Sequence, residues 1–216
     1  MIHLTFDLAT NRAPHVLCLG CHSDDIEIGC GGSILRLAHE HPNCKFHWVV
    51  LNAVGTRETE ARRGAELFAG DRIGTLLLKD FQDGFMPYDG GQVKTVFERE
   101  LKQLSPDLVF THYGRDAHQD HRLVSELTWN TFRDHLILEY EIPKYDGDLG
   151  RPNVFFPLEA EVYQRKVGHL MDVFGSQRSK RWFERETFLS IMRLRGMECN
   201  APSGYAEAFY CRKLLV

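Results

Sequence analysis

Short apolar runs of strand length alternate with segments of helical periodicity along the first half of the chain, and this alternation most restricts what it can fold into. Val16 to Leu19, Phe46 to Leu51, Thr75 to Leu78 and Leu108 to Thr111 read as buried strands. Between the first two, Ser33 to Glu40 reads as a helix opened by the glycines of Gly29-Cys30-Gly31-Gly32. Arg57 to Ala69 sets Ala61, Ala65, Leu67 and Phe68 on a charged background, as an amphipathic helix does. Val93 to Leu104 places Val93, Val96, Phe97 and Leu101 at helical spacing, and Pro106 stops that helix. Tyr145 to Asn153, rich in turn residues, reads as a loop. The pattern predicts an α/β sandwich with a mostly parallel sheet covered by helices.

With 216 residues, of which 43% are hydrophobic, the chain can bury one substantial core, so a single domain over residues 1–216 is expected. A formal charge of -4 offers no basic excess for nucleic acid or an anionic membrane surface. No apolar run approaches the roughly 18 to 20 residues that span a bilayer. The first twelve residues, MIHLTFDLATNR, lack the basic and apolar regions of a secretory signal, so a cytoplasmic location is expected. The six cysteines are scattered and read as reduced thiols, although Cys18 and Cys21 form a CxxC that a redox protein or half a zinc knuckle would also carry.

Ligands of parallel sheets bind beyond the carboxyl ends of the strands, which singles out the residues after Leu19 and after Thr111. The first place reads Cys21-His22-Ser23-Asp24-Asp25-Ile26-Glu27, and the second runs from His112 to His121 through Asp116, His118 and Asp120. Both are dense in metal-ligating residue types. A hydrolytic zinc centre needs about three protein ligands and an open position for water, whose pKa the ion must lower from about 15.7 towards 7. Two histidines and a carboxylate suit zinc, ferrous iron or a similar divalent ion. In the adjacent pair Asp24-Asp25, one carboxylate can bind the ion while the other handles the proton of the water. His118 is a candidate to stabilise charge developing on a carbonyl oxygen, and Asp120 a candidate to orient a nearby histidine. His112, which ends the strand before the second motif, is a candidate to line the pocket.

Residues 21–32, CHSDDIEIGCGG, resemble the HPDDxxxGCGG signature of the PIG-L/LmbE-like deacetylases, and residues 116–121, DAHQDH, resemble that family's DxHxDH signature. Weaker matches follow in the family's order: Arg57 with Glu60 as its RxxE helix, Lys166 with Ser176-Gln177 as its K…SQ stretch, and residues 205–209 as its YAEAF segment. The resemblance implies a Rossmann-like three-layer fold and a zinc-dependent enzyme that removes acetyl groups from N-acetylglucosamine-type units. It implies His22, Asp25 and His121 as metal ligands, Asp24 as general base and acid, and His118 as stabiliser of the oxyanion. Arg57, Asp116 and His112 are the candidates for contact with substrate. Serine at 23 stands where proline is usual, with a hydroxyl to hold the turn, and LNAVGT after the second strand departs from the family's Thr/Asp-Gly pattern.

The implied partner is a small-molecule or glycoconjugate substrate, with homo-oligomer formation left open. Three rival functions stand beside deacetylation: hydrolysis of another N-acyl amide such as an antibiotic or nucleotide-sugar precursor at the same metal site, sugar binding without catalysis, and thiol redox chemistry at Cys18 and Cys21. GCGG lacks the full glycine pattern of a phosphate loop, and its glycines are expected to let the chain turn closely into the helix. Asp24-Asp25 has a plainer reading as acidic residues at a helix N-terminus. The aromatic residues near Tyr145 to Leu158 read as core or as a sugar-stacking surface.

Overall fold

The computed structural model describes residues 12–215, so the N-terminal stretch examined for a targeting signal, residues 1–11, lies outside the described residues. Strands β1 (His15–His22), β2 (Lys45–Asn52), β3 (Ile73–Leu78), β4 (Leu108–His112) and β5 (Leu136–Tyr140) pair in parallel. Two more strands, β6 (Val154–Pro157) and β7 (Ala206–Tyr210), extend the sheet, with β7 antiparallel to both β5 and β6. The order β3-β2-β1-β4-β5-β7-β6 reverses direction between β1 and β4. The carboxyl ends of these two neighbours form the crevice in which such sheets bind ligands.

Alternation along the strands divides the core. Val16, Cys18, Phe46, Trp48, Val50 and Phe110 face one layer, built from α1 (Asp25–Glu40), α2 (Thr56–Ala69) and α5 (Ala160–Val173). Leu17, Leu19, Cys21, Val49, Leu51 and Val109 face the other, under α3 (Gly90–Val96) and α4 (Gln119–Thr131). Helix α6 (Arg185–Glu198) adds Phe188 and Met192 to the first layer. The fold is therefore the α/β three-layer sandwich expected from sequence. Cys18 and Cys21 lie on opposite faces of β1, three residues apart in a strand that alternates its side chains, and no disulfide joins them.

Two helices differ from expectation. Helix α1 starts at Asp25, not Ser33, so the glycines lie inside it rather than in a turn. Their use is close approach. A Cβ on Gly29 would enter the Tyr140 ring, and one on Gly32 would stand 2.6 Å from Leu158 and 2.9 Å from Glu207. Tertiary packing outweighs the poor helix propensity of glycine here. The segment after Gly90 begins earlier than expected and changes gauge, from α-helix to a wider π turn at Phe97–Leu101 and a tight 3-10 turn at Lys102–Leu104. Ser105 then takes a left-handed φ of 43° ahead of Pro106, which disfavours helix in its predecessor.

Glu207 reaches from β7 into the wall of α1. It accepts from the backbone of Gly32 (2.7 Å) and Ser33 (2.6 Å), from the Ser33 hydroxyl (2.6 Å), and from Lys166 Nζ (2.5 Å), which also donates to the Ile28 carbonyl. Both charges are buried. Glu207→Ala leaves the Lys166 ammonium without its counter-charge and is expected to lower stability by about 3–5 kcal/mol. A urea titration reads this as a fall in midpoint; a loss no greater than the ~1 kcal/mol of a surface pair would show that the bridge does not pin α1 to β7.

Candidate active site

His22 is the last residue of β1, and a two-residue turn, Ser23-Asp24, leads into α1 at Asp25. The turn is held by its own groups. The His22 N–H donates to Asp25 Oδ2 (2.7 Å), and the Ser23 hydroxyl reaches the Asn52 carbonyl at the end of β2 (3.4 Å). Asp24 and Asp25 thus diverge because they open a helix. Asp24 is the N-cap residue, yet its carboxylate makes no capping hydrogen bond and faces a cavity above the crevice.

The second motif approaches from β4. Its loop ends in α4, and His121 in the first turn of that helix points back at β1. His22 Nδ1, Asp25 Oδ2 and His121 Nε2 stand 3.3, 3.3 and 3.6 Å apart. Around a tetrahedral ion with bonds of about 2.0–2.2 Å, ligand atoms are separated by roughly 3.4 Å, so the three residues fit a small divalent cation. Three further groupings within 4.8 Å share these residues: Cys21, Asp25, His112 and His121; His22, His118 and His121; and on the outer side His22, Asp83, His118 and Asp120. The Cys21 thiol is a poor competitor, because burial and then Asp25 push its pKa up.

Carboxylates set both ligand-type histidines. Asp116 Oδ2 lies 3.0 Å from His121 Nδ1, and Asp83 Oδ1 lies 3.0 Å from His22 Nε2. A proton on each outer nitrogen leaves the inner nitrogen's lone pair for a cation. Burial, and then neighbouring His112, hold His121 down to a pKa of about 4. Burial works against a charge on Asp25, but His121, His112 and His22 outweigh it and hold its carboxyl well below the usual range. Asp24 goes the other way: burial, and then the charge of Asp25, raise it to about 6. Two adjacent carboxyls are thereby given different tasks.

His118 forms part of the cavity wall. Its Nδ1 accepts from the Asp120 N–H (3.3 Å), which puts the neutral ring's proton on Nε2, and burial lowers its pKa. Arg57 also lines the cavity, with Nη1 3.3 Å from Asn52 Oδ1 and 3.4 Å from Asp83 Oδ2.

Three sequence-derived candidates lie behind the site and not on the cavity. His112 is 0% exposed; its Nε2 accepts from the Cys21 N–H (3.0 Å), and its ring stacks on that of His121 at 3.9 Å. Asp116, 2% exposed, is enclosed by His121, the His118 N–H (2.7 Å) and Lys144 Nζ (3.0 Å). Expected to touch substrate, both instead brace His121, because β4 and its loop run beneath the crevice. Asp120 is fully buried, accepts from the Gly84 N–H (2.7 Å) and lies 3.7 Å from His22 Nε2. Asp83 stands nearer to the same nitrogen, at 3.0 Å.

Sequence reasoning missed Asp83 and Lys144. Asp83 follows β3, a third strand end on the same edge of the sheet, and the Asp83-Gly84 turn was its only signal. The weaker motifs meet in space: Glu60 takes the Ser176 N–H (2.8 Å) and hydroxyl (2.6 Å), Lys166 meets Glu207, and Gln177 lines the cavity. Trp182 and Tyr145 are also on the cavity wall. With both thiols buried and on opposite faces, changing Cys18 and Cys21 to serine is expected to leave any hydrolysis within about twofold of the unsubstituted protein, since an inert cysteine acts only through packing. Loss of a reaction in the double variant that dithiothreitol-reduced protein supports would restore a redox role.

Known proteins resemble this chain in sequence and in fold. The profile of the family described as PIG-L: GlcNAc-PI de-N-acetylase matches residues 17–132. The uncharacterized deacetylase YaiS of Escherichia coli (strain K12) is 26% identical over 172 residues, covering 75% of this chain and 91% of the relative. Among solved structures, the N,N'-diacetylchitobiose deacetylase from Pyrococcus horikoshii superposes with a TM-score of 0.68 at 19% identity, covering 95% of this chain and 87% of its own. GalB, the 4-carboxy-2-hydroxymuconate hydratase from Pseudomonas putida KT2440, does so with 0.70 at 18%, covering 94% and 98%. The profile spans both strand-end motifs and the helices that carry them, and the chain belongs to the PIG-L family and is a hydrolase of the N-deacetylase type.

Proposed function

We propose that this chain removes the acetyl group from an N-acetylglucosamine-type sugar, free or conjugated, with a zinc or similar divalent ion held by His22, Asp25 and His121. The observation that carries the reading is the triangle of His22 Nδ1, Asp25 Oδ2 and His121 Nε2 with the uncapped Asp24 carboxylate beside it on the cavity. A divalent ion in that triangle supplies the Lewis acidity that lets water attack an amide near neutral pH. Asp24 takes the proton of the attacking water and delivers it to the leaving amine. His118 donates from Nε2 to the amide oxygen as negative charge develops there. Asp83, Asp116 and Asp120 keep the rings of His22 and His121 in place, and Arg57 binds the substrate from the cavity wall.

A cytoplasmic location belongs to the same reading and is supported by the six free cysteines. Among the described residues, no helix is long and apolar enough to cross a membrane. The test is release of acetate by zinc-loaded protein across N-acetylated sugars, nucleotide sugars and glycoconjugates, N,N'-diacetylchitobiose included. Water addition to a carbon–carbon double bond, the hydratase-type alternative, produces no acetate. Acetate matched by an equal yield of free amine is expected; silence across the whole panel contradicts the reading.

A further inference from the structure

The cavity over the site, about 270 Å³, is lined by one lysine that, among the described residues, forms no ion pair with a carboxylate. Lys144 Nζ is bound by Asp148 (2.6 Å) and Asp116 (3.0 Å), and Arg57 is shared between Asn52 and Asp83. Lys180 has neither kind of partner: among the described residues no carboxylate lies within ion-pair distance, and its Nζ sits 5.4 Å from the centre of the Trp182 ring. Asp146, on the same rim, is exposed and forms no ion pair with it. The position is nonetheless built. The Lys180 N–H donates to the Gln177 carbonyl (2.9 Å), its own carbonyl accepts from the Phe183 N–H (3.0 Å), and Phe183 is anchored in the core. Lys180 shares the lining of this cavity with His22, Asp24 and His121.

A neutral sugar closing this cavity would strip water from the ammonium and return no counter-charge, which costs binding. An anion there completes a charge-assisted hydrogen bond on a compact, rotatable donor. We propose that Lys180 is a specificity residue and that the acetamido substrate carries an anionic group, carboxylate or phosphate, close to the amide. This rests on the deacetylase reading, from which its test must be separable.

The experiment compares zinc-loaded protein on N-acetylglucosamine, N-acetylglucosamine 6-phosphate and N-acetylmuramic acid, and in parallel measures binding of glucosamine and glucosamine 6-phosphate by calorimetry. At least one anionic substrate is expected to exceed the neutral one by about 10- to 100-fold in kcat/KM, chiefly through KM and decreasing with added salt. The phosphate and carboxylate arms say which anion fits. Lys180→Gln should remove most of that preference and Lys180→Glu should invert it. Acetate release with no preference for either anion, or a Lys180→Gln variant that loses neutral and anionic substrates equally, overturns the specificity role and leaves the deacetylase reading standing. Tighter binding of glucosamine 6-phosphate with no acetate released from any substrate upholds the anion site and overturns the deacetylase reading.

Discussion

Asp24→Asn is expected to lower kcat by about 10²–10⁴-fold, the usual contribution of a positioned acid/base group, while the protein still binds one divalent ion. Asparagine has nearly the shape of aspartate, and the Asp24 side chain makes no helix-capping hydrogen bond, so the fold has little reason to change. What is lost is a carboxyl that burial and Asp25 have moved to about 6, close to the pH at which it must both take and return a proton. Metal content by atomic absorption beside steady-state rates separates the two effects. Near-normal turnover by the variant would remove Asp24 from the mechanism, and loss of the ion would make it a ligand instead.

Asp25→Ala is the second large effect. The residue supplies one corner of the triangle and also accepts the His22 N–H that shapes the turn, so the variant is expected to lose stoichiometric metal and activity together. Asp116→Asn provides the graded comparison. Of the three ligands it meets only His121, at the outer nitrogen, where loss of a hydrogen-bonding carboxylate costs about 10–100-fold in metal affinity, while its other oxygen serves the His118 N–H and Lys144. Competition titration with a chelating dye ranks the three proteins. An Asp25→Ala variant that binds metal as tightly as Asp116→Asn would move the cation to the outer grouping of His22, Asp83, His118 and Asp120.

The crevice was legible because two independent patterns coincide there. The alternation of strands with helices located the carboxyl edge of a parallel sheet, and both clusters of ligand-type residues fall on that edge. The family resemblance ordered them. Less could be read where the cause lies far away in the chain. Gly29 and Gly32 look like turn residues until Tyr140, Leu158 and Glu207 are packed against them, and nothing local to GCGG announces those neighbours. His112 differs from His118 in depth, not in type: one is buried and the other half-buried, and residue chemistry alone does not show which of them reaches the cavity. Asp83 is an isolated acid in a loop, and only the parallel pairing of β2 with β3 brings that loop to His22. The antiparallel edge of β5, β7 and β6 has no periodic signature long enough to order its strands.

The central claim is that a cation between His22, Asp25 and His121 activates water for amide hydrolysis. It is tested most directly by measuring acetate release from one N-acetylated amino sugar with chelator-stripped protein, before and after one equivalent of zinc or ferrous ion is added. The account predicts background release from the stripped protein and full recovery at one equivalent. Equal activity in the stripped and reloaded protein would contradict it.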